Sequence, residues 1–123
     1  YDLWLRIGCR YPVHLIDTPL IIKRGGHEDQ LSKAAGLDRF RIQSLKKIIE
    51  NGQLTESQYH AAVSSLKDKC GIYAGGCRKR GRTAEAEFYK SLAERFTKAN
   101  ECRQRTDDRN QGTDGRGQKA VKE

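Results

Sequence analysis

The chain has 123 residues, the length of a single domain. Its 24 basic and 16 acidic side chains leave a formal net charge of +8, and hydrophobic residues make up 36% of the total with a mean hydropathy of −0.84. This composition allows a modest helical core and excludes a large one, and no run approaches the roughly 18 consecutive apolar residues that a membrane-spanning helix needs.

The opening, Tyr1-Asp2-Leu3-Trp4, has neither a basic nor an apolar leader region, so no signal peptide is expected. The whole sequence lacks Met, which suggests a chain that starts inside a longer protein. Leu3, Trp4 and Ile7 have the spacing of a helix end that closes between Gly8 and Pro12. Val13-His14-Leu15-Ile16 and Leu20-Ile21-Ile22-Lys23 read as two short extended pieces joined by Asp17-Thr18-Pro19. Two short strands do not make a stable sheet, so residues 1–33 read as the closing edge of a larger fold.

From about Ala34 to Lys98 the pattern is helical. Leu37, Phe40, Arg41, Leu45, Ile48 and Ile49 follow the i, i+3, i+4 rhythm, with Ile42 beside them, and Asn51-Gly52 provides the stop. Thr55-Glu56-Ser57-Gln58 is a capping box, and Leu54 and Tyr59 take the two positions of a hydrophobic staple. Behind this cap Tyr59, Ala62, Val63, Leu66, Cys70 and Tyr73 form one apolar stripe. Gly75-Gly76 weakens this helix, and Arg78-Lys79-Arg80-Gly81 ends it with cations at the negative end of its dipole. Thr83 is placed to cap a last helix with Tyr89, Leu92, Ala93 and Phe96 on one face. Three amphipathic helices with short connections predict an antiparallel bundle or hairpin array. Residues 99–123 hold six basic and five acidic groups and almost no apolar ones, and read as a disordered tail.

Cys9, Cys70, Cys77 and Cys102 form no closely spaced metal or redox pair. Cys70 and Cys77, two helical turns apart, lie too far from each other for a disulfide, so four free thiols and a cytoplasmic setting are expected. Arg78, Lys79, Arg80 and Arg82 are the densest basic cluster: either a solvated helix end or a contact for anionic lipid. Nucleic acid is disfavoured because no aromatic residue interleaves that run. His14 and His60 have no partner at ligand spacing.

Tyr1-Asp2-Leu3-Trp4-Leu5-Arg6, then Tyr11-Pro12-Val13, then Pro19-Leu20-Ile21-Ile22-Lys23-Arg24-Gly25-Gly26-His27 resembles the end of the catalytic domain in bacterial family-two glycosyltransferases. These are GT-A enzymes with a Rossmann-like nucleotide-binding sheet, and they typically invert configuration at the transferred sugar. The resemblance covers residues 1 to about 32, and the remainder, including Asp38-Arg39-Phe40-Arg41 and Lys79-Arg80-Gly81, looks like a helical extension. Together with the periodicity and composition above, it gives an expected fold that is mostly α: a three-helix array (34–98) and a tail (99–123), preceded by what the resemblance implies is a short α/β remnant of a GT-A domain edge (1–33).

In function, the resemblance implies transfer of a sugar from a nucleotide-sugar donor to a glycan or lipid-linked acceptor hydroxyl. In the family the catalytic base is an Asp at the position just before Tyr1, and the Asp-x-Asp motif that holds Mg²⁺ or Mn²⁺ and the diphosphate lies further upstream. This chain would then hold no catalytic residue and need no metal by itself, and the stretch alone is expected to be inactive. What it would keep is Trp4 on the acceptor side, and a loop with Arg24 and His27 able to close over the diphosphate, His27 near the metal or the phosphates. Glycines permit the close backbone approach that such a loop needs, and cations there stabilise the leaving group. Lys23 stands where the family more often has an aromatic residue. Each residue has a plainer reading: Trp4 as a core side chain, His27 as a surface loop residue, Asp17 as a turn residue. The alternative for the whole chain is a tetratricopeptide-like helical interaction module with a basic surface and no chemistry. The expected location is cytoplasmic, with peripheral contact to the inner membrane through the basic cluster.

Overall fold

The computed structural model describes residues 1–22 and 36–111, with side chains to Thr106. Four helices follow in order: α1 (Asp2–Gly8), α2 (Leu37–Glu50), α3 (Glu56–Lys79) and α4 (Thr83–Gln111). Helix α3 is the centre of the arrangement, with α2 and α4 both packed against it and α1 against α2.

The helix ends follow local chemistry. The Gln58 amide donates to Thr55 Oγ1 (3.3 Å) and the Thr55 amide donates to Gln58 Oε1 (3.0 Å), so the capping box is closed in both directions. At the far end of α3 the Gly81 N–H donates to the Arg78 carbonyl (3.0 Å) and the Arg82 N–H to the Cys77 carbonyl (2.9 Å). These two bonds are the Schellman pattern, which needs a left-handed residue; Gly81 provides it with φ +74. Gly52 does the same after α2 with φ +66. Thr83 is already the first residue of α4, and the Ala86 N–H returns to the Arg82 carbonyl (3.1 Å), so Arg82 rather than Thr83 holds the capping position. Gly75 and Gly76 lie inside α3 without interrupting it.

The core is one cluster. Ile42, Leu45, Ile48 and Ile49 of α2 meet Tyr59, Val63, Leu66, Cys70, Tyr73, Ala74 and Cys77 of α3, and Ala86, Tyr89, Leu92 and Phe96 of α4. Leu66, Cys70, Cys77 and Ala86 have no exposed surface. Phe40, grouped by its spacing with the apolar rhythm of α2, is instead exposed, and Ile42 takes the buried place. The stripe that faces α3 runs through 42, 45, 48 and 49, and Phe40 lies off it.

Two expectations are corrected. Among the described residues there is no strand: Val13–Ile16 and Leu20–Ile22 are not paired with each other, and their apolar side chains stand in solvent. Strand pairing needs a neighbouring backbone, and the described chain offers none to these pieces. The α/β remnant is therefore not shown, whereas the helical class is. The second correction concerns the first part of the segment 99–123, read from its polarity as disordered: α4 continues to Gln111, and residues 112–123 lie outside the described residues. Tertiary contacts explain the continuation. Arg103 Nε reaches Glu56 Oε2 (3.0 Å) and its guanidinium lies 4.4 Å from the Tyr59 ring centroid, tying this part of α4 to the start of α3.

Candidate functional site

The residues singled out by the family resemblance fall into two groups. Arg24 and His27 lie outside the described residues, as does Lys23. Trp4 is on α1 and 70% exposed, so the plainer reading of it as a core residue does not hold. The core contact of α1 is made by Leu5 and Cys9 instead. Gln58 Nε2 donates to the Cys9 carbonyl (3.1 Å) and Arg10 Nη2 to Gln53 Oε1 (2.7 Å), which clamps the end of α1 to the α2–α3 connection. Arg6 pairs with Asp2 (3.1 Å) one helical turn away, so both charges are used within α1.

Apart from Leu5, Ile7 and Cys9, the apolar side chains from Leu3 to Ile22 have little to pack on among the described residues. Leu3, Tyr11, Val13, Ile16, Leu20 and Ile21 are all more than half exposed, and Leu15 and Ile22 reach 90% and 91%. A contiguous set of this kind marks a surface made to be covered.

At the other end of the array Tyr73, Glu85 and Arg82 form a chain. Tyr73 Oη donates to Glu85 Oε1 (2.8 Å), and Glu85 Oε2 meets Arg82 Nη1 (3.0 Å). The hydrogen bond to Glu85, then burial, raises the Tyr73 hydroxyl above its ordinary range. Tyr89, 4.6 Å from Tyr73 between ring centroids, is raised chiefly by burial, with Arg39 opposing. Burial alone lifts the Cys70 thiol to about 11, so this cysteine is inert rather than nucleophilic. A second polar group joins α3 to α4, where His60 Nε2 lies 3.2 Å from Glu56 Oε1 and His60 Nδ1 contacts Asn100 Oδ1. His60, which has no partner at ligand spacing in the sequence, has one neighbour four residues earlier on α3 and one across on α4.

Among the described residues no group of three or more His, Cys, Asp or Glu side chains could hold a metal ion. The resemblance places the carboxylates that hold Mg²⁺ or Mn²⁺ upstream of Tyr1, and His27, its one candidate in this stretch, lies outside the described residues. All four cysteines are free thiols, with Cys70 and Cys77 buried and Cys102 exposed. No described helix is long and apolar enough to cross a membrane.

Arg78, Lys79, Arg80 and Arg82 come together at the α3–α4 turn as their adjacency requires. Two of the four are paired: Arg78 with Glu87 (3.1 Å) and Arg82 with Glu85 (3.0 Å). An open groove runs between α3 and α4, lined by Lys67, Cys70, Ala74 and Arg78 of α3 and by Ala93, Glu94, Thr97 and Lys98 of α4. The periodicity marked the buried face of α3 and was silent on this groove, which exists only where two helices meet. No protein-family model, no curated protein and no solved structure matches the chain.

Proposed function

We propose that this chain is the carboxy-terminal part of a nucleotide-sugar-dependent glycosyltransferase of the GT-A class, in which the α2–α4 array is a helical extension. The observation that carries the reading is the apolar exposure of Leu3, Trp4 and the stretch from Tyr11 to Ile22, in the residues that carry the resemblance. In this reading the extended pieces 13–16 and 20–23 complete the catalytic sheet, whose neighbouring strands cover Val13, Leu15, Ile21 and Ile22. Trp4, already free of the helical core, presents its indole to the acceptor, and Arg24 and His27 supply positive charge to the departing nucleoside diphosphate. The base that takes the acceptor proton and the metal-holding carboxylates belong to the remainder of the enzyme.

The test is a comparison of two proteins, this chain and the product of the reading frame extended upstream of Tyr1. With nucleotide sugars and Mg²⁺ or Mn²⁺, the extended protein is expected to release nucleoside diphosphate and to bind nucleotide sugar saturably, and the 123-residue chain to do neither. In the extended protein His27→Ala should lower turnover by about a hundredfold, the scale of one lost charge-stabilising group. An extended protein that neither binds nucleotide sugar nor transfers it overturns the reading and favours a helical interaction module, to which the open α3–α4 groove is suited.

A further inference from the structure

One end of the helical array gathers charge and aromatic surface that the fold does not use. Three elements meet there: the start of α2, the end of α3 and the start of α4. Their proximity is fixed by contacts. Gly36, which precedes α2, lies against the Tyr73 ring, and Tyr73 stacks edge-on with Tyr89 of α4 at 4.6 Å. Arg39 is close enough for its charge to act on Tyr89.

The cations at this end divide by whether they are neutralised. Arg78 and Arg82 have carboxylate partners, and Arg41 pairs with Asp38 (3.0 Å). Lys79, Arg80 and Arg39 have none among the described residues; Lys79 and Arg80 are exposed on the turn itself, and Arg80 folds back beside Gly76. Internal ion pairs thus consume part of the positive charge and leave three exposed cations without a carboxylate partner among the described residues.

Two phenylalanines accompany them. Phe40 and Phe88 are 54% and 62% exposed although each sits in a well-formed helix. Phe88 lies seven residues before Arg95, so the two share one flank of α4. Arg95 reaches Glu50 of α2 at 4.0 Å, which makes that flank the one turned towards α2. Arg39, eleven residues before Glu50, shares its face of α2, so Phe88 stands on the same side as Arg39, and the Phe40 ring lies against the Arg39 guanidinium. Exposed phenyl rings beside cations without a carboxylate partner match the two layers of a membrane interface: phosphates outside, acyl chains just beneath. Base stacking in nucleic acid is the poorer match, because the Arg39 guanidinium already sits over the Phe40 ring, 4.9 Å from its centroid.

We propose that this tip, formed by the α3–α4 turn and the start of α2, docks on an anionic lipid bilayer, with Lys79, Arg80 and Arg39 on headgroup phosphates and Phe88 and Phe40 in the interfacial layer. The proposal rests on α2 to α4 alone and is independent of the glycosyl-transfer reading. The contact is reversible and salt-sensitive, since three cations and two rings make a weak anchor.

Vesicle co-sedimentation of the full 123-residue chain tests it, with phosphatidylcholine vesicles that contain or lack phosphatidylserine. The chain should pellet with the anionic vesicles at low ionic strength, should not pellet with the neutral ones, and should be released by salt. Lys79→Ala and Arg80→Ala should each weaken binding about fivefold, and Lys79→Arg should preserve it. Phe88→Ala should weaken binding without changing its salt dependence. Lys47→Ala, an exposed cation far along α2, should have no effect. Equal binding to neutral vesicles would show that the apolar segment before Ile22 inserts instead, and would overturn the proposal. So would binding that is indifferent to Lys79 and Arg80, or tighter binding to single-stranded RNA than to anionic vesicles.

Discussion

The cysteines of this protein owe their reactivity to how deeply each is buried. Cys70 and Cys77 have no exposed surface, whereas Cys102 is open to solvent and Cys9 is half-buried under α1. Alkylation of the native protein should therefore label Cys102 fast and Cys9 more slowly, with Cys70 and Cys77 labelled only after unfolding; rapid native labelling of Cys70 would contradict the packing. The same burial sets a dependence on pH. The folded-state pKa of Cys70 is raised from 9.0 to about 11, so the folded protein holds this proton when the unfolded chain has released it. Stability from this group is complete below about pH 9 and is lost as pH rises towards 11, on the order of 2 kcal/mol in all. Tyr73 and Tyr89, also raised, extend the loss to higher pH. Urea titrations at pH 7 and pH 10 should show the decline, and Cys70→Ala, whatever its starting stability, should show a shallower one.

At the level of the helices, the readable features were those whose chemistry is local. Thr55-Glu56-Ser57-Gln58 predicts the start of α3 because both capping bonds are made within four residues, and Gly52 and Gly81 mark ends because each takes a left-handed conformation. Gly81→Ala should cost about 1 kcal/mol, since its φ of +74 puts a Cβ in strain although open space surrounds it. Gly71 is the opposite case: a helix-interior glycine on an exposed surface with nothing within 4 Å of an added Cβ. Gly71→Ala should raise the melting temperature by about 4 °C, from a gain of about 0.5–1 kcal/mol. A thermal melt of each variant checks both signs. The features that a local reading does not settle depend on distant residues. The extended pieces at 13–16 and 20–22 have strand-forming side chains, but a strand is defined by its partner. The continuation of α4 past Asn100 is held by Glu56, Tyr59 and His60, which lie about 40 residues earlier and are invisible to a reading of local composition. The same limit applies to the candidate site, where Trp4 could be singled out by its motif but only packing shows that α1 buries Leu5 and leaves the indole free.

For the whole molecule, stability and proposed chemistry occupy different residues. The buried cluster lies entirely within Ile42 to Phe96, and α1 is attached to it by Leu5, Cys9 and a few hydrogen bonds around Gln53 and Gln58. The extended stretch to Ile22 contributes no buried side chain. Opening free energies should follow this division, because amide protection rises with the number of buried contacts that must break. Native-state hydrogen exchange is therefore expected to show strongest protection in α3 from Val63 to Cys77, where both α2 and α4 pack. Protection should be lower in α2 and in α4 near Leu92, low in α1, and absent at Val13, Leu15, Ile21 and Ile22. In the upstream-extended protein the pattern at those four residues should reverse, since a sheet that covers Val13 and Ile22 also takes up their amides in its ladder. Protection of Val13 and Ile22 in the 123-residue chain itself would mean that they already have a partner, such as a second copy of the chain. Their continued exposure in a folded, nucleotide-binding longer protein would separate the helical array from the catalytic domain altogether.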